Sequence, residues 1–418
     1  MRGFLSIFVL EMKSLVRSRT AAAAFAAAAL WMAFLPRLLT SDGTVDGARE
    51  LYVRYSIGAV FAVLVVALGA AAAGSMAKER SANTLQLAAV RPVRRALIAL
   101  AKTCAVAVTG ASVMLLASAI LLFRSEPMRP CTRSFSPVLE SERAEAEKMY
   151  ETYMADPSTP EEVKKADRRL VVAILERRAR DRYESITKGE TAKWEFPPLP
   201  DGISSAFARL RFSTAFSGRN PMKGKLTFGG VALDVYDCTE SDLTIALPAS
   251  ATAAGGRVME FLNEGDEPIM LRPRADVNIL YSLKGDVFML NLFLAWVEMS
   301  SLLAMAVAFC VFLGACFGRS VAVFSAMAVF FAAVAAPVAS EEGPDGIDSG
   351  RMDRTAAAIS RAVAWTLNPF DAACPVENLS LDRRIPSGEA AGTFAAGAVL
   401  FPVAFSLLSA IAIGRRED

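Results

Sequence analysis

The chain has 418 residues, of which 54% are hydrophobic, with a mean hydropathy of +0.37 and a formal net charge of only +2. Its apolar residues lie in long unbroken blocks, whereas a soluble core interrupts them every three or four positions, so an ordinary soluble protein is excluded. The small charge gives no footprint for nucleic acid, and the absence of histidine removes most zinc sites, histidine-based triads and histidine proton relays.

In chain order, residues 4–17 come first, with Phe4, Phe8, Met12, Leu15 and Val16 at helical spacing and Lys13, Arg17 and Arg19 elsewhere. That pattern suits a short helix lying in the membrane interface, with a plain cytosolic extension of the first span as the alternative. Six blocks near 20 residues can each cross a ~30 Å hydrocarbon layer. They are Thr20–Leu39, Tyr55–Met76, Ala96–Phe123, Val287–Phe317, Val321–Ala339 and Gly392–Ile413. The first is not read as a cleaved signal peptide, because Pro36-Arg37 follows it without a small-residue cleavage site.

Lysine and arginine collect in the N-terminal tail (Arg2, Lys13, Arg17, Arg19), in the second-to-third connection (Lys78, Arg80, Arg91, Arg94, Arg95), at Arg319 and at Arg415-Arg416. By the positive-inside rule both termini and the 77–95 loop are expected in the cytoplasm. Residues 124–286 and the 340–391 loop are then outside. A bacterial cytoplasmic membrane with its lipid is the expected setting. The domain plan is therefore residues 1–123 with three spans, an extracytoplasmic domain at 124–286, and residues 287–418 with three more.

The 77–95 loop is the most informative connection. It reads Lys78-Glu79-Arg80-Ser81-Ala82-Asn83-Thr84-Leu85-Gln86-Leu87, then Pro92-Val93, with Lys102 inside the third span. A charged lead, a turn residue, a short helix and a proline stop make a device that can receive force from a cytosolic partner. The alternative is a basic loop that serves topology alone.

Between Phe123 and Val287 the pattern changes to that of a soluble α+β domain. Leu139–Met154 reads as one helix, broken at Asp156-Pro157, and Thr159-Pro160-Glu161-Glu162 is a capping box for a second. Val163, Ala166, Leu170, Ile174 and Leu175 make its apolar stripe, and Gly189 its stop. After Trp194 the period becomes two, over Phe207–Phe212, Lys223–Phe228 and Leu243–Leu247. This predicts a helical hairpin followed by a β-sandwich. Of the six cysteines, Cys104, Cys310 and Cys316 sit in apolar blocks, and whether Cys131 and Cys238 are bonded stays open.

Glu298 is the one acid well inside an apolar block, which makes it the candidate intramembrane polar site. The block from Val287 to Phe317 is longer than one crossing needs. A first third lying in the interface would instead leave Glu298 at headgroup depth, and that reading is preferred.

The order Glu79, Thr84-Leu85, Pro92-Val93, Lys102 resembles the cytoplasmic loop of type-2 ABC transporter permeases. That loop typically runs from glutamate through Gly-Thr-Leu and Pro-Val to a lysine early in the third span. Asn83 stands where the family has glycine, and asparagine tolerates the positive φ such a turn requires. The N-terminal helix, the Phe317–Ala322 turn and Leu367-Asn368-Pro369-Phe370 agree with the family. The resemblance implies a permease subunit of an ATP-driven exporter, paired with a second permease copy or paralogue and with cytoplasmic ABC ATPase subunits. Glu79, Asn83, Thr84, Leu85, Leu87, Pro92 and Lys102 would couple it to the ATPase. The chain is then not itself an enzyme and holds no cofactor, ATP and Mg residing on the partner. Gly224-Lys225, the nearest approach to a Walker A motif, is followed by leucine. The rival reading is a non-transporting anchor that displays an outer binding or sensing domain.

Overall fold

The computed structural model describes residues 2–17, 20–39, 45–81, 94–124, 128–157, 168–180, 182–214, 222–238, 242–248, 250–251, 257–328, 330 and 374–414. Outside these lie Asn83, Thr84, Leu85, Leu87 and Pro92, the Thr159–Glu162 capping box, the end of the expected fifth span, Leu367–Phe370 and most of the 340–391 loop. Two compact units emerge, one of membrane helices and one from residues 130–286.

The first unit contains α1 (Arg2–Arg17), α2 (Thr20–Leu38), α3 (Val45–Ser81) and α4 (Arg95–Arg124). Helices α5 (Glu142–Ala155) and α6 (Arg168–Arg180) belong to the second unit. The first resumes with α7 (Phe288–Cys316), α8 (Arg319–Ala328), α9 (Pro375–Ser380) and α10 (Ser387–Gly414). Among the described residues four helices are long and apolar enough to cross a membrane: Gly47–Ser81, Arg95–Arg124, α7 and α10. Helices α1 and α2 pass that test only as a pair, with their axes 58° apart, which would make a fifth. Six spans are thus not reached among the described residues, α8 extending over only Arg319–Ala328.

The helices outrun the apolar blocks. Val45–Ser81 has 37 residues, roughly 55 Å at 1.5 Å per residue. It therefore carries charged turns, Arg49 to Arg54 and Lys78 to Arg80, beyond the hydrocarbon. Hydropathy marks where lipid ends, and backbone hydrogen bonding decides where the helix ends. Helix α7 is the most buried of the four and packs on α3, α4 and α10. Leu302 and Met305 on it meet Phe61 and Phe401. Phe123, Phe324, Leu400 and Leu407 point out of the unit, as side chains facing lipid do.

The second unit is built on one apolar core. Its strands are β1 (Arg133–Phe135), β2 (Glu184–Ile186), β3 (Thr191–Glu195), β4 (Ile203–Arg211), β5 (Ser213–Thr214), β6 (Met222–Phe228), β7 (Val231–Cys238), β8 (Asp242–Ala246), β9 (Val258–Asn263), β10 (Ile269–Leu271) and β11 (Val277–Leu283). They pair antiparallel in three sheets, ordered β1-β11-β4-β8, β2-β10-β5 and β3-β9-β6-β7. Period-two alternation sends Trp194, Phe228, Phe261, Ile279 and Tyr281 into the shared core. The three strands read from sequence are present as β4, β6 and β8.

Two expectations are corrected here. The domain is not helices followed by strands, because β1 precedes the helices and pairs with the last strand, Arg133 opposite Tyr281. Its ends are joined again where the Cys131 amide donates to the Asp286 carbonyl (2.8 Å) and Arg133 makes two bonds to the Asp286 carboxylate (2.8 and 3.0 Å). The second helix also stops at Arg180, short of Gly189, because residues 184–186 are taken by β2 and Gly189 serves a turn at φ +79°. The hairpin contact itself is real, with Ala146 against Val171 and Leu175. Ser141 caps α5 by accepting from the Ala144 amide. Cys131 is fully buried, and the side chain of Cys238 lies outside the described residues.

A cleft of about 880 Å³ opens beside α5, lined by Tyr153, Tyr183, Lys148, Arg182, Arg274 and Glu145. Its three cations are already paired, Lys148 with Glu140 and both arginines with Glu145. Burial pushes the Glu145 carboxyl up, but the bonds from Arg182 and Arg274 outweigh it and leave the group below its ordinary range. Glu142 is likewise held low, chiefly by its bond to Arg180. Groups depressed in the folded state contribute stability above their unfolded value and lose it as pH falls. The fragment 130–286 is therefore expected to fold alone with a β-dominated circular dichroism spectrum, and to lose midpoint temperature on acidification below about pH 4.5. A random-coil spectrum at neutral pH would show that the unit depends on the membrane helices.

Candidate functional site

The last turns of α3 carry the site. Ser75 and Glu79 lie four residues apart, hence on one helix face, and Arg80 follows. Lys102, two turns into α4, reaches that face and is 3% exposed. Its Nζ donates to Glu79 Oε1 at 2.7 Å, to Glu11 Oε2 at 2.9 Å and to Ser75 Oγ at 3.2 Å. The Ser75 hydroxyl in turn donates to Glu11 Oε1 at 2.9 Å. Glu11, on α1, is 7% exposed. Three donor sites of one ammonium are thereby filled by oxygens from two helices, α1 and α3.

Arg80 extends the arrangement to a fourth helix. Its Nη1 donates to the Ala315 carbonyl at 2.8 Å, in the last turn of α7. Carbonyls there have no intrahelical partner, and a cation complements that end of the helix. The C-terminal end of α3, from which residues 82–93 depart, is thus bonded to α1, α4 and α7 together.

Of the residues singled out from sequence, the structure joins Glu79 directly to Lys102. Glu11 was not recognised in the sequence. The signal was present: an acid at position 11 falls between Phe8 and Leu15 on the face of α1 that turns inward. The apolar stripe there is as expected for Phe4, Phe8, Met12 and Leu15, but Val16 is exposed. Leu5 and Leu10 are also exposed on the opposite side, so α1 is apolar on both faces.

Glu298 lies elsewhere, inside an unbroken α7, fully buried, with no interfacial segment separated from the rest of that helix. Among the described residues no group of histidine, cysteine and acidic side chains is placed to hold a metal ion.

Residues 7–129 match the family model described as ABC-2 family transporter protein. No curated protein and no solved structure matches the chain. The matched stretch holds α2, α3, α4 and residues 7–17 of α1, and with them Glu11, Ser75, Glu79 and Lys102. Over these residues, less than a third of its 418, the chain is similar to the ABC-2 family transporter proteins, the type-2 ABC permeases.

Proposed function

We propose that the chain is the permease subunit of an ATP-driven exporter, with residues 82–93 receiving the movement of a cytoplasmic ATPase and the Lys102 cluster passing it into the helices. The observation that carries this reading is the bonding of both flanks of that segment to each other and to α1. A displacement of 82–93 acts on α3 through Glu79 and on α4 through Lys102, which are 2.7 Å apart. Because α1 is held by the same ammonium, three helices respond as one body. Arg80 hands the displacement on to α7, the helix at the centre of the unit.

In this reading α1 and the 77–95 loop face the cytoplasm and residues 130–286 stand outside the bacterial inner membrane, in keeping with the lysines and arginines near the span ends. A second permease, identical or related, completes the pathway, and ATP with Mg is bound by the partner ATPase. The product of the cycle is export, or mechanical work delivered to the outer domain.

The test is made on purified complexes. Glu79→Lys places a cation against Lys102, and Leu85→Asp places a charge in the receiving segment. Both variants are expected to keep the protein in the membrane while ATP hydrolysis no longer drives its function, with partner retention reduced in Leu85→Asp. Full retention and fully coupled turnover in both would reduce the loop to a topological basic patch.

A further inference from the structure

Glu298 has no counterpart to the Lys102 cluster. Its carboxylate is fully buried in α7, and among the described residues neither oxygen has a hydrogen-bond partner. Residues 56–77 of α3 and 105–123 of α4, in the two helices that pack on α7, contain no acidic or basic side chain, only apolar and hydroxyl ones. Helix α9 contributes the exposed Glu377 and α10 the half-exposed Glu389. Of these, Glu389 is the charged group that acts on Glu298, and it is another acid. Arg383 and Arg384 lie in the α9–α10 connection, where the Arg383 carbonyl accepts from the Asn291 side chain two turns above Glu298 (2.7 Å). Among the described residues no basic side chain pairs with Glu298.

Taking an isolated carboxylate out of water costs several kcal/mol even after relaxation, and a neighbouring acid adds to that cost. A neutral carboxyl avoids it. The neighbouring helix also has an irregular stretch at the right place. Residues Ala395–Leu400 of α10 form a π-helical turn, a feature that recurs at functional sites. Gly397 in that turn packs so closely that a Cβ there would lie 2.7 Å from the Ser301 carbonyl, one turn along α7 from Glu298.

We propose that Glu298 is an intramembrane proton-binding site, holding a proton while α7 and α10 are packed together and releasing it when they part. The π turn is where α10 changes register, and burial, with the acid Glu389 as a lesser contributor, makes the ionised form untenable in the packed arrangement. The linkage has a fixed sign. The packed arrangement binds the proton and the parted one does not, so acid favours packing and alkali favours separation.

Three measurements on the full-length protein in lipid nanodiscs test this. In infrared difference spectra, the carbonyl stretch of a protonated carboxyl should be present at mildly acidic pH and lost in Glu298→Gln, while Glu389→Gln retains it. Dicyclohexylcarbodiimide, which adds a buried carboxyl O–H across its C=N bond and rearranges to a stable N-acylurea, should mark Glu298 by mass spectrometry, with the adduct lost as pH rises. If wild type and Glu298→Gln share the same protonated-carboxyl region, the proton site is overturned, whatever the labelling gives. Trp296, two residues away with its Nε1 donating to the Ala111 carbonyl of α4 at 3.0 Å, reports movement of α7 against its neighbours. Its fluorescence should follow pH in wild type and not in Glu298→Gln. Identical profiles would overturn the link between the proton and the helix movement. None of these measurements involves an ATPase, so this proposal stands or falls separately from the exporter reading.

Discussion

Lys102→Met is expected to be among the most destabilising single changes in the membrane unit. The substitution preserves chain length and apolar volume but leaves two carboxylates facing each other without their cation. Glu11 is almost wholly enclosed, with 9% of its side chain exposed, and Glu79 has 37%. Removing one partner of a buried ion pair costs about 3–5 kcal/mol, because an uncompensated charge stays behind. Thermal unfolding in detergent should therefore show a large drop. Glu11→Gln should cost less, since Glu79 still neutralises the ammonium and the amide keeps one acceptor. The informative comparison is the combination Lys102→Met with Glu11→Gln, which removes the stranded enclosed charge and should recover much of the loss. A double variant as damaged as the sum of the two singles would show that Lys102 and Glu11 contribute independently, and the cluster would not be a unit.

What the sequence made legible, and what it hid, divides along physical lines. Spans were readable because lipid imposes a uniform apolar demand over ~20 residues, so Tyr55–Met76 falls inside α3 and Ala96–Phe123 inside α4. Strands β4, β6 and β8 were readable because each alternates on its own. Strands β1 and β10, of three residues each, have no period to read and exist through their partners: β1 through the register with β11, β10 between β2 and β5. Glu79 and Lys102 were singled out separately by order along the chain, not as a pair, and nothing local says that an acid 91 residues before Lys102 shares the same ammonium. Tertiary contacts of that separation leave only a weak trace, here one acid on an otherwise apolar helix face. The same holds for Asn263, buried and saturated by the Ile186 and Glu267 carbonyls and the Gly265 amide, which reads in sequence as an ordinary turn residue.

Gly314→Ala is expected to destabilise the bundle strongly, and Gly110→Ala hardly at all, although both glycines are helical. Alanine has the higher helix propensity by up to ~1 kcal/mol, so either change would be favourable in isolation. What differs is the neighbour. A Cβ on Gly314 would lie 2.5 Å from the Ala73 carbonyl oxygen and 2.9 Å from Met76 Cβ, both fixed to the α3 backbone. A Cβ on Gly110 would meet Leu303 Cδ2 and Leu68 Cδ1, the far ends of flexible side chains rather than backbone. Membrane helices associate by close packing at small residues, so separating α3 from α7 forfeits contacts that lipid does not replace. Overpacking of this kind costs about 1–3 kcal/mol, with Gly314→Ala toward the upper end and Gly110→Ala near neutral after its propensity gain. Gly314 is also adjacent to Ala315, whose carbonyl receives Arg80, so the substitution that pushes α3 away should also lengthen that bond. Helix α3 would then keep its ties to α1 and α4 while losing its grip on α7. In purified complexes, Gly314→Ala should lower the unfolding midpoint and weaken coupling together, and Gly110→Ala should leave both close to wild type. Equal effects at the two positions would mean that helix spacing, rather than the α3–α7 contact at this turn, governs both properties.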